Sequence, residues 1–201
     1  MPFDHNSHYH PLLLRHVPPG ARRALDVGCG TGRFARRLAE AGLEVDAVDP
    51  DADVIAAARA LGGGICYRQE DVTEAELGRY DFISCLASLH HMPFETVTKL
   101  RDALNPGGVL VVLGLAKPRS AADFAQWHVL SPPLNLLARA VVAAGERLNG
   151  GPDHTIAPRV RDWTMTMTQV RRESARLLPG STVRPVLFWR YLLVYRLGWS
   201  A

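Results

Sequence analysis

The chain is 201 residues long, with 23 Lys and Arg against 20 Asp and Glu, and 47% of it is hydrophobic. Such a chain holds one domain with a single core, and neither a disordered polyelectrolyte nor a disulfide-stapled scaffold fits it. The net charge of +3 reads as solvated helix faces rather than a nucleic-acid surface.

The start, MPFDHNSHYH, is polar and rich in histidine, unlike the apolar core of a secretory leader. From Ala21 to Val112 short apolar runs alternate with helical patterns. RALDVG predicts a buried strand, RFARRLAEAG a helix stopped by Gly42, LEVDAVDP a strand, and DADVIAAARAL a helix ended by Gly62–Gly64. ICYRQED and YDFISCLAS predict two more strands, FETVTKLRDAL a helix, and NPGG a turn into the strand VLVVLGLA. Strands alternating with helices imply a parallel, helix-covered sheet. Prolines at 118, 132, 133, 152 and 158 break up the next region, where one or two short helices are expected over the sheet. DWTMTMTQVRRESARLLPG then predicts a helix, with Met165 and Met167 beside Trp163 as a core stripe and a pocket wall as the alternative. STVRPVLFWRYLLVYRLG predicts two strands, an antiparallel hairpin at the sheet edge. No apolar run reaches the roughly 20 residues of a membrane span. Cys29, Cys66 and Cys85 form no CxxC pair, so a cytoplasmic protein without membrane contact is expected.

Gly28-Cys29-Gly30-Thr31-Gly32 is a GxGxG turn between strand and helix. A dinucleotide fingerprint needs its third glycine at position 33, which is Arg33, and a P-loop needs a closing Gly-Lys-Ser/Thr that is missing. The turn still aims backbone N–H groups and a helix N-terminus at a ligand, a seat for a carboxylate. Asp26, ahead of it, is placed to meet an ammonium. Asp49, followed by Pro50, ends the second strand about 20 residues beyond the first glycine, where such sheets set a carboxylate on ribose hydroxyls. Capping the next helix is the alternative use. Asp71 suits an exocyclic amine and the Val72 N–H a ring nitrogen, or Asp71 is an ordinary turn acid.

LDVGCGTG, AVDP, QEDV, YDFISCLASLHHM and LNPGGVLVV, in that order over residues 21–116, resemble the successive motifs of class I S-adenosylmethionine-dependent methyltransferases. The nearest likeness is to the small-molecule branch with a Leu-His-His turn after its fourth strand. The resemblance implies an α/β fold: a Rossmann-like, doubly wound, seven-stranded and mostly parallel sheet with an antiparallel C-terminal hairpin. It also implies a single domain over 1–201. Residues 1–20 would be a lid segment, 21–116 the cofactor-binding half, 117–180 the substrate region and 181–201 the hairpin. Carried over by position, Gly28, Cys29, Gly30 and Gly32 lie against the methionine portion of S-adenosyl-L-methionine, and Asp26 orders its amino group directly or through water. Asp49 takes the ribose, Asp71 with Val72 reads adenine, and Cys85–Leu86 offer backbone carbonyl.

Methyl transfer from a sulfonium is an in-line displacement in which alignment of the reacting atoms is the protein's largest duty. A hydroxyl acceptor also needs a base. The candidates are His10 and His90, with Tyr9 positioning the acceptor and His5 in reserve; a solvated tail and a turn-closing His90 are the plain alternatives. The histidines at 5, 8 and 10 lack partner acids at helical spacing, so no metal is expected. SPPL at 131–134 lies far from the strand end where amino-methylating nucleic-acid enzymes carry such a step, and Ser84 rather than Pro precedes Cys85. DNA is therefore not the expected substrate. The reading is methyl transfer to an O- or N-nucleophile of a small molecule, of the kind met in secondary metabolism. The rivals are an NAD(P)-dependent oxidoreductase, a non-catalytic cofactor-binding subunit, and a methyltransferase acting on a peptide or RNA. Nothing in the sequence fixes an oligomeric state.

Overall fold

The computed structural model describes residues 7–117, 165–186 and 190–198. A 3-10 turn, Ser7–Tyr9, runs into α1 (His10–Leu14). Then come β1 (Arg23–Val27), α2 (Arg33–Glu40), β2 (Glu44–Asp49), α3 (Ala52–Ala60), β3 (Cys66–Gln69) and β4 (Tyr80–Leu86). A second 3-10 turn, Leu89–His91, leads to α4 (Thr96–Asp102) and β5 (Leu104–Leu115); α5 (Met167–Leu177), β6 (Thr182–Val186) and β7 (Arg190–Arg196) close the described chain. The strands form one seven-stranded sheet in the order β3-β2-β1-β4-β5-β7-β6. Its first five members are parallel and the C-terminal pair antiparallel. This is the Rossmann-like arrangement expected from the sequence.

Burial on both faces explains the near-continuous apolar strands, and alternation along them makes two cores. Ala24, Phe82, Val111 and Leu113 face Leu13 of α1, Phe34 and Leu38 of α2, and Ile55 of α3. Leu25, Val27, Ile83 and Cys85 face Val97 and Leu100 of α4 and Val170 of α5. Helix starts follow their local chemistry. Asp51 caps α3 by accepting from the Asp53 and Val54 N–H groups, and Thr166 with Gln169 forms a capping box on α5.

Two expectations change. NPGG does not separate α4 from β5 as a free turn. β5 begins at Leu104, and the register slips between the Tyr80–Leu104 and Phe82–Val109 pairs. The glycines stay on the sheet because Gly107 N–H donates to Leu197 O (2.9 Å) and Leu197 N–H to Gly108 O (2.9 Å). Met165 is also not helix core: α5 starts at Met167, which is buried, while Met165 precedes the cap and stays partly exposed.

Strand order reverses between β1 and β4. A crevice opens outside the carboxyl ends of adjacent strands at such a switch point, and the glycine turn after β1 and the Leu-His-His turn after β4 lie on its two sides.

Candidate active site

The chain leaves β1 through three glycines in left-handed conformation, with φ of +64° at Gly28, +53° at Gly30 and +72° at Gly32. Neighbours make two of them obligatory. A Cβ on Gly28 would lie 2.3 Å from Ser88 Cβ, and one on Gly32 would lie 2.2 Å from the Tyr67 hydroxyl. A Cβ on Gly30 would meet none of the described residues within 4 Å, so the middle of the turn faces open space. The expected fan of loop donors is narrower than the sequence suggests. Gly28 and Cys29 N–H both bond Val48 O, at 2.8 and 3.1 Å, and Gly32 N–H bonds Cys29 O. Gly32 caps α2 without a side-chain oxygen, which leaves the helix start as the donor end of the turn.

Asp26 lies under this loop, 2% exposed. Its strand register pairs it with Ser84, whose Oγ donates to Asp26 Oδ1 at 2.8 Å; the Ala35 N–H in the first turn of α2 is its other support. Burial raises its pKa to about 7 against the pull of those hydrogen bonds, and the nearby Asp49 charge adds to the rise. With its contacts made inside the protein, Asp26 fits the indirect route to a ligand's amino group better than the direct one.

Asp49 is half-buried at the end of β2. Its Oδ2 accepts from Gly30 N–H at 2.9 Å and its Oδ1 from Asp51 N–H at 3.0 Å. Capping of α3 belongs to Asp51 instead, so the plain alternative for Asp49 falls away. Each carboxylate oxygen retains acceptor capacity, enough for a pair of vicinal hydroxyls. Pro50 between them is exposed. Asp71 is exposed, and Oδ1 accepts Thr73 N–H at 2.9 Å and Thr73 Oγ1–H at 2.7 Å, which holds its carboxyl below the usual range. It is a turn acid, as the alternative had it, with its second oxygen outside these two bonds. The Val72 side chain is buried beneath.

The end of β4 is tied to the end of β1 by Ser88, whose Oγ donates to Val27 O at 2.7 Å and lies 3.0 Å from Cys85 Sγ. The Cys85 thiol is fully buried and pushed up to about 12, which removes it as a nucleophile. Half-buried Cys29 is likewise raised, by burial first and then by the Asp26 and Asp49 charges. After Leu86, Ala87 takes φ of +52°, a strained value for a residue with a Cβ, and its N–H bonds Leu113 O at 2.7 Å.

That strained residue leads to His90. Both ring nitrogens of His90 are buried without a hydrogen-bond partner, and its ring centroid lies 3.9 Å from that of His91. The imidazole borders a cavity of about 210 Å³ at the carboxyl ends of β4 and β5. Burial pushes its pKa down to about 4, helped by the His91 and Arg190 charges.

The other candidate bases are placed differently. His10 is 8% exposed, its ring 4.9 Å from that of Phe34 in the first turn of α2. Tyr9 is 5% exposed and packs in the core with Leu13. Both lie on the α2 face of the sheet, whereas Leu89 of the His90 turn packs on the α4 face, so the structure does not gather these groups at one point. His5 and residues 118–164, most of the expected substrate region, lie outside the described residues. Among those described, no group of three or more His, Cys, Asp or Glu is arranged to hold a metal ion. No helix there is long and apolar enough to cross a membrane.

Sequence reasoning did not single out Ser84 and Ser88 as parts of the site. A signal was available for Ser84: a serine within an apolar, doubly covered strand must find an acceptor, and those in reach are at the site.

Residues 6–139 match the family described as "Methyltransferase domain". An uncharacterized methyltransferase of Mycobacterium tuberculosis is 34% identical, with 97% of each chain covered. The ubiquinone biosynthesis O-methyltransferase of Xanthomonas axonopodis is 32% identical over 55% of this chain and 52% of its own length. Among solved structures, the PH0226 protein of Pyrococcus horikoshii superposes with a TM-score of 0.65, at 20% identity over 95% of this chain and 88% of its own. Magnesium protoporphyrin IX methyltransferase of Synechocystis, solved with bound S-adenosylmethionine, gives 0.56, at 16% identity over 96% and 77%. The match over most of the chain, the near full-length relative and the shared fold agree with the strand-end motifs: the chain belongs to the class I S-adenosylmethionine-dependent methyltransferases.

Proposed function

We propose that this protein moves the methyl group of S-adenosylmethionine onto an oxygen or nitrogen nucleophile of a small molecule in the cytoplasm. One observation supports the reading: the bare turn at 28–32 follows β1, Asp49 ends β2 and bonds Gly30, and Asp71 follows β3, so all three lie at the carboxyl ends of adjacent strands beside the switch point. The residues fit the donor. Asp49 can accept two ribose hydroxyls while it holds Gly30, the free oxygen of Asp71 suits an adenine amine, and the start of α2 receives a carboxylate. When bound, S-adenosylmethionine supplies a methyl already activated by its sulfonium charge. The chain's own work is to fix that end against the Gly28–Gly32 turn, which Ser88 and Tyr67 hold in place, and to align the acceptor with it. The O-methyltransferase among the relatives supports oxygen as the acceptor atom.

Isothermal titration with S-adenosylmethionine, S-adenosylhomocysteine and NADH tests the donor. Saturable binding of the first two and none of NADH is expected; the reverse pattern would return the oxidoreductase reading. Release of S-adenosylhomocysteine in the presence of an acceptor panel separates an enzyme from a silent binding subunit.

A further inference from the structure

The cavity beside His90 lies one strand away from the proposed donor crevice. Among the described residues its wall consists of Leu89, Met92, Phe94, Leu115, Met165 and Tyr191 around the imidazole, with the exposed Pro93 at its rim. None of these carries a formal charge, so an ionic acceptor would lose its hydration without replacement. Its volume of about 210 Å³ exceeds the roughly 150 Å³ apolar cavity known to take benzene, which leaves room for one ring with small substituents. Methionine sulfurs and aromatic walls suit the faces and edges of such a ring. Its floor is set by close packing: the Tyr191 ring lies so near Gly114 that a Cβ there would come within 2.1 Å of it.

Among the described residues this wall carries two polar groups, the Tyr191 hydroxyl and the His90 imidazole, and the imidazole is unsatisfied. His90 Nδ1 and Nε2 are buried and lack partners, a state that is costly unless a ligand completes it. The charged or titratable neighbours that face it are His91 on its own turn and Arg190 on β7, with the Tyr191 phenol across the cavity. Together with burial they keep the ring uncharged, so one nitrogen presents a lone pair throughout the neutral range. The turn that carries His90 starts beside the donor side, because Ser88, two residues before it, donates to Val27 O at the end of β1 next to the Gly28 turn.

We propose that this cavity is the acceptor pocket, and that it takes a single hydroxylated aromatic ring whose hydroxyl donates to the His90 imidazole. The proposal rests on the reading above that a methylsulfonium donor occupies the crevice. As the acceptor oxygen bonds to the methyl carbon, the carbon–sulfur bond breaks with its electron pair left on sulfur. The hydroxyl proton passes to the imidazole and from there to water. Because the methylated oxygen is strongly acidic before it loses that proton, a weakly basic imidazole suffices.

The test uses the full chain with 4-fluorophenol and fluorobenzene as probes, followed by ¹⁹F NMR line broadening with and without S-adenosylhomocysteine. Saturable broadening of both probes by the wild type is expected. His90→Phe should weaken 4-fluorophenol about tenfold and leave fluorobenzene unchanged, and Met92→Trp should remove both. S-adenosylhomocysteine affinity, measured by calorimetry, should stay within twofold in both variants. The proposal is overturned if 4-fluorophenol does not saturate with the wild type, or binds His90→Phe or Met92→Trp as well as the wild type. If the probes behave as expected but S-adenosylhomocysteine binds nowhere, the donor reading fails and the ring pocket stands. In turnover, monocyclic phenols should exceed aliphatic amines in kcat/KM, with no pH limb near 6.5 that His90→Phe removes.

Discussion

At the carboxyl ends of β1, β2 and β3 the proposed donor side carries carboxylates and backbone: Asp26 braced by Ser84, Asp49 tied to Gly30 and Asp51, Asp71 tied to Thr73. Next to it, along β4, β5 and β7, the cavity is walled by apolar side chains around one neutral imidazole that has no partner among the described residues. The first side is internally satisfied and pre-set, as suits a ligand that never changes; directional groups fix its shape before anything binds. The second side offers volume and one unmet hydrogen bond, as suits a pocket that selects by size and polarity. Removing a group from the first side should therefore injure stability and donor affinity together, while changes on the second should reach only the acceptor.

The sharpest way to break this contrast is Gly28→Ala. The new methyl must displace Ser88 and occupy φ of +64°, costs of roughly 1–3 kcal/mol each. A loss of about 2–6 kcal/mol should appear in urea unfolding and in S-adenosylhomocysteine titration. Adding Ser88→Gly should restore the packing part alone. If Gly28→Ala binds S-adenosylhomocysteine like the wild type, the turn is not the donor's seat.

Asp26 gives the next largest effect. Between the unfolded value of 3.8 and about 7, the native state keeps a proton that the unfolded chain has released, so stability falls as pH rises through that window. At about 1.4 kcal/mol per unit the loss is at most about 4 kcal/mol. Asp26→Asn has nothing to titrate. Urea unfolding at pH 4.5, 6 and 8 should show the wild type losing ground steadily to the variant. Parallel curves would mean that Asp26 is ionised at ordinary cost, and the satisfied side would be more open to water than its 2% exposure implies.

These two positions also show what was legible beforehand. GxGxG and the acids that follow are spaced by strand and turn geometry, so the parallel sheet and the places of Asp26 in β1, Asp49 at the end of β2 and Asp71 after β3 could be read from spacing, while the seven-strand order came with the family resemblance. Ser84 and Tyr67 reach the same site from other strands, through register and packing that no local pattern encodes. The acceptor side was less legible for the same reason. Met165 looked like helix stripe because helical spacing is blind to the cap at Thr166, and Tyr191 meets Gly114 only by antiparallel pairing of β5 with β7. His90 stood out as a residue type, but its missing partners are a property of the folded wall.

Asp49→Ala tests the contrast more gently. It removes charge-assisted bonds of roughly 1.5–3 kcal/mol each, so S-adenosylhomocysteine affinity should fall about 10- to 150-fold. Release of Gly30 should also lower thermal stability, whereas 4-fluorophenol binding should be unchanged. An Asp49→Ala protein that loses the phenol as well would merge the two sides into one cooperative site.

The smallest expected effect asks whether an unmet polar atom is by itself a sign of a ligand. Ser174 on α5 has the same formal defect as His90: it is 1% exposed and its Oγ has no hydrogen-bond partner. It differs in its surroundings. Its helix neighbours Val170 and Leu178 belong to the packed core, and Ser174 does not border the cavity. Ser174→Ala removes a hydroxyl that gains nothing and improves helix propensity, so stability should rise by about 0.5–1 kcal/mol in urea unfolding. Both fluorinated probes should bind as before. His90→Phe relieves an equivalent defect and should also leave the fold no weaker, yet it should weaken the phenol about tenfold. If Ser174→Ala lowered 4-fluorophenol affinity too, an unpartnered atom would no longer mark where the acceptor sits, and the assignment of His90 would have to stand on the cavity alone.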